Sequence, residues 1–302
     1  MKRIAAAAGG LALSGAAAVA YAALIEVRWF ALRSVDVPVL KPGSAPIKLL
    51  HISDLHLMPG QHRKQQWVRS LAELEPDLVV NTGDNISSAD SVWPLLDCLD
   101  PLLELPGVFV SGSNDYFAPR PKNPVTYLFG PSKGPRASDL EHRRLPTETM
   151  DAAFENAGWL NLRNTRGELT VAGQRLEFAG VDDPHLRYDR YADVAGGFTE
   201  AADLRIGVTH APYKRVLNAM SDDDAQLILA GHTHGGQLCV PGYGALITNC
   251  DLDRRRVKGL SRWGDAWLHV SAGLGTSPFA PVRFSCRPEA TLLTLREAGS
   301  PL

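Results

Sequence analysis

The chain has 302 residues, of which 45% are hydrophobic and 21% charged, and its formal net charge at pH 7 is −2. Domains usually hold roughly 100 to 200 residues, so the length fits one large domain or two small ones. The apolar fraction excludes wholesale disorder and a polytopic membrane protein. The charge argues against a nucleic-acid binder, which would be strongly basic. The four cysteines form no CxxC pair, which argues against a zinc ribbon and a disulfide scaffold.

The N-terminal segment, residues 4–25, is a run of 22 positions without a charged side chain, eleven of them alanine, and it follows Lys2 and Arg3. As a helix it would be roughly 33 Å long, enough for a hydrocarbon core of about 30 Å. It is therefore interpreted as an uncleaved membrane anchor, as a signal peptide cleaved after the Ala20-Tyr21-Ala22 site, or as a buried soluble helix. Both membrane-directed interpretations place the remaining chain outside the cytoplasm, because the positive charges precede the apolar run.

The chain after this segment divides into a linker with a first strand, residues 26–45, and a catalytic domain, residues 46–302. The domain begins with strands that alternate with helices, which is the pattern of an α/β fold. Ligands of such folds bind beyond the carboxyl ends of the strands. The predicted strands lie near 47–52, 78–80 and 108–110, and the predicted helices near 62–75 and 90–104.

The second half of the domain is richer in strands. A proline-rich, basic stretch at residues 118–148 precedes it and is predicted to be a long surface loop, a type of segment that is usually functional or disordered. The further strands are predicted at 168–172, 175–179, 204–209, 226–230, 267–270 and 291–295.

Seven polar residues follow the predicted strands and form the candidate metal ligands. They are two carboxylates, one carboxamide and four imidazoles, and such nitrogen and oxygen donors suit Mn, Fe, Zn or a similar divalent ion. The D-x-H and H-x-H spacings place alternate side chains on one side of a strand end. Seven ligands exceed the needs of one tetrahedral ion and fit two ions that share a carboxylate. The residues are Asp54, His56, Asp84, Asn114, His210, His232 and His234.

These blocks, in this order, resemble the calcineurin-like metallophosphoesterase family, and several longer segments are similar to a membrane-associated bacterial phosphodiesterase branch of it. The resemblance implies a four-layer α/β/β/α sandwich with a dinuclear site. It further implies that Asp54, His56 and His234 hold one ion, that Asp84 bridges, and that the second ion is held by Asn114, His210 and His232. Two divalent ions, two carboxylates and a bridging hydroxide would leave a charge near +1, which attracts a phosphate ester. Binding to metal lowers the pKa of water toward about 7, so this hydroxide would exist at neutral pH and attack phosphorus.

The third block departs from the family pattern G-N-H-D/E, since the residues here are Gly112-Ser113-Asn114-Asp115. One alignment gives Asn114 the metal-binding position and Asp115 the position of the histidine that assists the leaving group. The other alignment gives those positions to Ser113 and Asn114. The first is preferred because an amide oxygen is the better ligand. In both cases the usual histidine is absent, so Asp115 and Asn114 are the candidate catalytic residues of this block.

Other polar residues are interpreted mainly as structural. His51 is expected to pack in the core, and His269 is assigned a structural or surface position. Residues 182–185 are expected to form a capped turn, with a supporting role beside the ligands as the alternative. The basic run at residues 254–256 is expected to be a solvated face or a rim that contacts anionic lipid or a substrate phosphate.

The sequence therefore predicts a dinuclear metal-dependent phosphoesterase that acts on a phosphodiester or pyrophosphate, because a good leaving group needs less protonation. A lipid-linked substrate is expected from the anchor and, by analogy, from the branch resemblance. The expected partners are this substrate and a membrane, and no nucleic acid. The alternatives are a broad phosphomonoesterase and a metal-binding protein that has lost catalysis.

Overall fold

The computed structural model describes residues 13–121 and 141–299, which form two six-stranded sheets with helices on their outer faces. The described helices are α1 (13–20), α2 (His62–Arg69), α3 (Val92–Leu103), α4 (Ser113–Tyr116), α5 (Thr147–Asn156) and α6 (Lys214–Asp222). Helix α1 continues into a π-helical turn, Tyr21–Ile25, and a 3-10 turn, Glu26–Arg28.

The first sheet has the strand order β1-β14-β2-β3-β4-β5. Strands β2 to β5 run parallel, whereas β14 is antiparallel to β2 and parallel to β1. The parallel run places the carboxyl ends of β2, β3 and β4 at one edge of the sheet. The strands are β1 (Ala31–Leu40), β2 (Ile47–Ile52), β3 (Leu78–Asn81), β4 (Gly107–Phe109), β5 (Leu160–Asn161) and β14 (Glu289–Glu297).

The second sheet has the order β12-β13-β9-β8-β7-β6, in which β13, β9, β8 and β7 run parallel. Its edge strands β12 and β6 are antiparallel to their neighbours. The strands are β6 (Thr165–Val171), β7 (Gln174–Gly180), β8 (Leu204–Val208), β9 (Leu227–Ala230), β12 (Gly259–Trp263) and β13 (Ala266–Val270). A separate hairpin consists of β10 (Cys239–Val240) and β11 (Gly244–Ala245).

The layers follow from the side-chain alternation along each strand. On β2, Ile47 and Leu49 face the core between the two sheets, while Leu50 and Ile52 face the core beneath α2, α3 and α5. A third core lies between the second sheet and α6. The order helix, sheet, sheet, helix confirms the predicted four-layer α/β/β/α sandwich.

The segment before residue 46 contributes to this sandwich. Strand β1 forms the edge of the first sheet and pairs with β14, and its Val37, Val39 and Leu40 are buried. The sheet thus begins fifteen residues before the predicted start of the domain at residue 46. Among residues 13–121 and 141–299, none of the helices combines the length and the apolar character that crossing a membrane requires.

Two predicted segments lie partly outside the described residues. The predicted membrane-directed segment begins at residue 4, and residues 4–12 are not among those described. Most of the predicted surface loop at 118–148 falls on residues 122–140, which also lie outside the described part of the chain.

Candidate metal centre

The candidate ligands converge because both sheets present the carboxyl ends of parallel strands to the same region. Asp54 and His56 follow β2, Asp84 follows β3, and Asn114 follows β4 on helix α4. His210 follows β8, and both His232 and His234 follow β9 of the second sheet. Each sheet therefore supplies part of one cluster of side chains.

Four of the predicted ligands form a compact group in which each contributes one donor atom. These atoms lie within 4.8 Å of one another and belong to Asp54, His56, Asp84 and His234. The Nε2 atoms of His56 and His234 are 3.1 Å apart. Nε2 of His56 is 3.4 Å from Oδ2 of Asp84, and Nε2 of His234 is 3.5 Å from Oδ1 of Asp54. These are the residues of one predicted ion together with the predicted bridge.

The other three predicted ligands also lie around Asp84. Nε2 of His210 is 3.5 Å from Oδ2 of Asp84 and 3.3 Å from Nδ1 of His232. Asn114 donates to Asp84 from its backbone N, over 2.7 Å, and from Nδ2, over 2.8 Å. A half-turn of the carboxamide exchanges its oxygen and nitrogen, so the amide oxygen can occupy the position beside Asp84. The structure thus brings all seven predicted ligands around one carboxylate.

Five of these residues share an unusual backbone conformation. Their φ angles lie between 42° and 69°, in the left-handed region that non-glycine residues rarely adopt. Such a conformation costs on the order of 1–3 kcal/mol each and concentrates at functional sites, because the surrounding structure must hold it. The backbone here is therefore shaped to aim side chains at one point. The residues are Asp54, His56, Asp84, His232 and His234.

Two glycines allow the loops to approach one another closely. A Cβ atom on Gly231 would collide with Ser53 Oγ and Asp54 Oδ2, and one on Gly112 would collide with Asp84 Oδ1 and the His210 ring. Any larger residue at these positions would push a candidate ligand out of place.

The outward nitrogens of three imidazoles contact backbone carbonyls, which fixes the ring orientations. Nδ1 of His234 is 3.1 Å from the Gly275 oxygen, and Nδ1 of His210 is 2.6 Å from the Thr82 oxygen. Nε2 of His232 is 3.2 Å from the Asn249 oxygen. At His232 and His234 the outer N–H donates to the carbonyl, so the other nitrogen presents a lone pair to the cluster, as in histidine metal sites. At His210 the other nitrogen faces Asp84.

Burial keeps most of these imidazoles neutral. It lowers the pKa of His56 to about 4 and holds the pKa values of His232 and His234 well below the usual range. Burial likewise raises the pKa of the Asp54 carboxyl to about 6. Neutral imidazole is the form that binds metal, so these rings are ready to act as ligands.

Asp84 and His210 instead form a coupled pair. Burial is the largest single influence and opposes ionisation of both groups. For Asp84 it is outweighed by the combined charge and hydrogen bond of His210, the charge of His56 and the Asn114 N–H, so the pKa of Asp84 lies well below its usual range. For His210 it is outweighed by the charge and hydrogen bond of Asp84 together with the charges of Asp54 and Asp183, so its pKa is raised well above that of a free imidazole. The donor set is thus a buried carboxylate between two groups of nitrogen and oxygen donors without a thiolate, which fits divalent cations of the Mn, Fe or Zn type.

In the third block, Asn114 and Asp115 make different contacts. Asn114, rather than Ser113, lies against Asp84. Asp115 is fully buried, and its carboxylate is bound to the backbone: Oδ2 accepts the N–H groups of Asp84 and Gly112, and Oδ1 accepts that of Asn85, over 2.7–2.9 Å. The general-acid role predicted for Asp115 has no geometric support, because its carboxylate is engaged in holding the loop that carries Asp84.

Several supporting residues were not singled out as such from the sequence. His51 is buried as expected, but its Nδ1 lies 2.8 Å from Nδ1 of His269, so the two rings connect the sheets beneath the cluster. The His185 ring centroid is 4.7 Å from that of His232, which agrees with the alternative role of the 182–185 turn beside the ligands. Lys64 and Arg283 are buried, and neither was assigned a role from the sequence.

Comparison with known proteins places this site in a family. The model of the calcineurin-like phosphoesterase family matches residues 47–236, which is more than half of the chain. The chain belongs to the calcineurin-like phosphoesterase family. As a member it is a metal-dependent phosphoric ester hydrolase, and the predicted family assignment is confirmed.

Relatives of similar length match this phosphoesterase over nearly the whole chain. Phosphodiesterase YaeI of Escherichia coli is 28% identical, with 89% of this chain and 90% of the relative aligned. The uncharacterized metallophosphoesterase YkuE of Bacillus subtilis is 26% identical, over 91% of this chain and 87% of the relative. Among solved structures, purple acid phosphatase PPD1 from yellow lupin aligns with a TM-score of 0.44 and 12% identity, covering 81% of this chain and 47% of that one.

Proposed function

We propose that this phosphoesterase is a dinuclear enzyme that hydrolyses phosphodiester or phosphoanhydride bonds. The observation that carries the proposal is the position of Asp84, whose Oδ2 lies 3.4 Å from Nε2 of His56 and 3.5 Å from Nε2 of His210. A carboxylate between two groups of donors has the geometry of a bridge between two cations. Asp54, His56 and His234 would hold one ion, and Asn114, His210 and His232 the other.

The protein's own residues supply orientation and charge. Two bound divalent cations would neutralise the phosphoryl oxygens and provide an activated water at neutral pH. Asp54 and Asp84 contribute only two negative charges, so the loaded site would remain attractive to a phosphate ester. The carbonyl contacts of the outer imidazole nitrogens keep the inner nitrogens available to the cations, and Asp115 holds the Asp84 loop through backbone bonds.

The substrate class follows from the missing histidine of the third block. Asp115 is engaged with three backbone N–H groups, so no described residue of this block stands ready to protonate a poor leaving group. The leaving groups of pyrophosphates, and of phosphodiesters formed from acidic alcohols, depart with less protonation than simple alkoxides need. The name of the similar Escherichia coli protein, a phosphodiesterase, supports this choice.

The test is a metal-dependent activity screen with the full chain. We expect Mn²⁺-loaded protein to hydrolyse bis-p-nitrophenyl phosphate or a dinucleotide pyrophosphate faster than p-nitrophenyl phosphate. Replacing a ligand, His232→Ala, should lower kcat by more than the roughly 10- to 100-fold that loss of an outer partner of a metal ligand costs. A preference for the monoester would support a broad phosphomonoesterase. Turnover no higher than that of His232→Ala on every substrate would identify a metal-binding protein without catalysis.

Two finer features of the proposal concern location. A lipid-linked substrate and a membrane-anchored, extracytoplasmic enzyme are predictions from the apolar residues 4–25 and the preceding Lys2 and Arg3. Fractionation of cells with a tagged full chain, followed by mass spectrometry of the N-terminus, tests both the anchor and the cleaved signal peptide.

A further inference from the structure

Arg283 is a fully buried arginine beside the candidate metal centre. It lies in the loop before β14, and its guanidinium is surrounded by backbone carbonyls. Nη2 donates to the oxygens of Ala272, Gly273 and Gly275 over 2.8, 3.0 and 2.7 Å. Nη1 donates, over 3.4–3.5 Å, to the oxygens of His234, Cys286 and Arg287.

The carbonyls that Arg283 collects belong to the segment that supports two ligands. The N–H of Gly275 donates to the backbone oxygen of Asp54 over 2.6 Å, and the N–H of Leu274 donates to the backbone oxygen of Ser53 over 3.1 Å. The Gly275 oxygen also contacts Nδ1 of His234 at 3.1 Å. One carbonyl thus accepts hydrogen bonds from both the guanidinium and the ligand imidazole. Through the segment 272–275, Arg283 is connected to Asp54 and to His234.

An arginine suits this set of carbonyls better than a lysine would. A buried cation is costly unless its donors are satisfied. A planar fork with five N–H donors can bind several carbonyls at fixed angles, which a lysine ammonium cannot do. Among the described residues, Arg283 forms no ion pair shorter than 4.0 Å with a carboxylate. Its Nη atoms contact mainly the backbone oxygens that support the ligands, and Nη2 also lies 3.4 Å from Nδ1 of His234 itself, while Nε has no hydrogen-bond partner within the described part of the chain.

Two residues that precede β1, Ala22 and Glu26, hold the loop that carries Arg283. The backbone N of Arg283 donates to the Ala22 oxygen over 3.1 Å. The buried carboxylate of Glu26 accepts the N–H groups of Ser285 and Cys286 over 3.0 and 2.6 Å. The loop that carries Arg283 is therefore itself held in place, as a residue that orients a metal ligand requires.

We propose that Arg283 is a positioning residue for the metal centre: by fixing the Gly275 carbonyl it holds His234 with Nδ1–H outward and Nε2 toward Asp54 and His56, and it thereby sets the metal affinity of that half of the site. The inference rests on the metal centre of the proposed function, although its test does not require turnover. Loss of Arg283 leaves the ligands present but free to turn.

The experiment compares three full-length variants stripped of metal. Arg283→Met removes the guanidinium, and Arg283→Lys keeps the charge but loses the fork. Arg287→Met is the matched control, because Arg287 lies in the same loop and donates to the Trp29 and Phe30 oxygens, away from the ligands. The measurements are Mn²⁺ and Zn²⁺ affinity and stoichiometry by calorimetric titration, with urea unfolding and circular dichroism for each variant.

We expect Arg283→Met and Arg283→Lys to bind the ion held by Asp54, His56 and His234 roughly 10- to 100-fold less tightly than the wild type, as for other outer partners of metal ligands. Arg287→Met should keep wild-type affinity even if it unfolds at lower urea. If Arg283→Met does not fold, folded Arg283→Lys decides. Wild-type affinity in the folded Arg283 variants, or an equal loss in Arg287→Met, would overturn the positioning role. Wild-type protein that binds no metal would instead overturn the proposed function.

Discussion

Asp115 illustrates how a residue at a catalytic sequence position can act on the backbone. Its two carboxylate oxygens accept three N–H groups from two loops, and one of these belongs to Asp84. Burial and the charge of Asp84 raise the pKa of Asp115 to about 7, although the N–H groups of Gly112 and Asn85 favour its charged form. The residue holds the loop that carries Asp84.

Replacing this carboxylate with an amide tests the structural role. In Asp115→Asn an N–H₂ group faces a backbone N–H, so at least one buried donor loses its acceptor. We expect the free energy of unfolding to fall by about 1–3 kcal/mol, measured by urea denaturation with metal present. Unchanged stability combined with lost turnover would restore the general-acid assignment.

The buried pair of His51 and His269 leads to a pH dependence of stability. Burial holds the pKa of His51 well below the usual range and lowers that of His269 to about 4. Both rings are therefore neutral in the folded protein, whereas both bind a proton below about pH 6.5 when the chain is unfolded. Their contribution to the free energy of unfolding is complete above that pH and is lost as the pH falls toward the pKa values of the folded state.

The measurable quantity is the slope of the unfolding free energy between pH 6 and pH 4.5. His269→Gln removes one titrating group, so the slope should decrease by about 1.4 kcal/mol per pH unit, the value for one proton. Urea unfolding at several pH values, with the metal ligands intact, supplies the number. An unchanged slope would show that His269 is protonated in the folded state.

The elements of the sequence differ in how far they can be predicted. Strands β2, β3, β8 and β9 are recognisable because each is a short apolar run that ends in a polar turn. The two-residue strand β5, Leu160–Asn161, has no pattern long enough to detect. Strand β1 was predicted as a first strand within the linker at 26–45 but without bounds of its own, because it mixes Arg33, Ser34 and Asp36 with apolar residues at an exposed edge.

Truncation before and after β1 tests its role. A protein that begins at residue 26 keeps Glu26 and the whole sheet, whereas one that begins at residue 46 loses β1. Burial of Val37, Val39 and Leu40 contributes about 1.5–3 kcal/mol for each side chain. The shorter protein should therefore be less stable by roughly 5 kcal/mol, and it should aggregate through the newly exposed edge of β14. Thermal unfolding and light scattering measure both effects, and equal behaviour of the two proteins would show that β1 is dispensable.

At the scale of the whole molecule, the candidate ligands were predictable while their supports were not. Asp and His at fixed spacing carry a chemical signal that survives without a structure. Glu26 binds a backbone N–H that is far away in the sequence, since Cys286 lies 260 residues from it. Arg283 binds carbonyls 8–11 residues before it in an irregular loop. No spacing of side chains encodes such contacts, so only the folded chain reveals them.

Metal binding should stabilise the entire sandwich, because the first sheet supplies Asp54, Asp84 and Asn114 and the second supplies His210, His232 and His234. A ligand at about 100 times its Kd adds about 2.7 kcal/mol to a protein's stability. For a chain of this size we expect chelation to lower Tm by roughly 4 °C, measured by differential scanning calorimetry. His232→Ala should show a smaller shift, and equal Tm values with and without metal would contradict a link between the sheets.

The left-handed backbone of five ligands also bears on how this site can change during evolution. Positions with φ between 42° and 69° accept Gly, Asn, Asp or His far more readily than branched or bulky residues, so random replacement there is penalised twice, by lost ligation and by strain. Asn114 and Asp115 lie on helix α4, where ordinary residues are tolerated. The third block, which departs from the family pattern, is thus the part of the site whose backbone leaves room for mutational drift and for new substrate preferences.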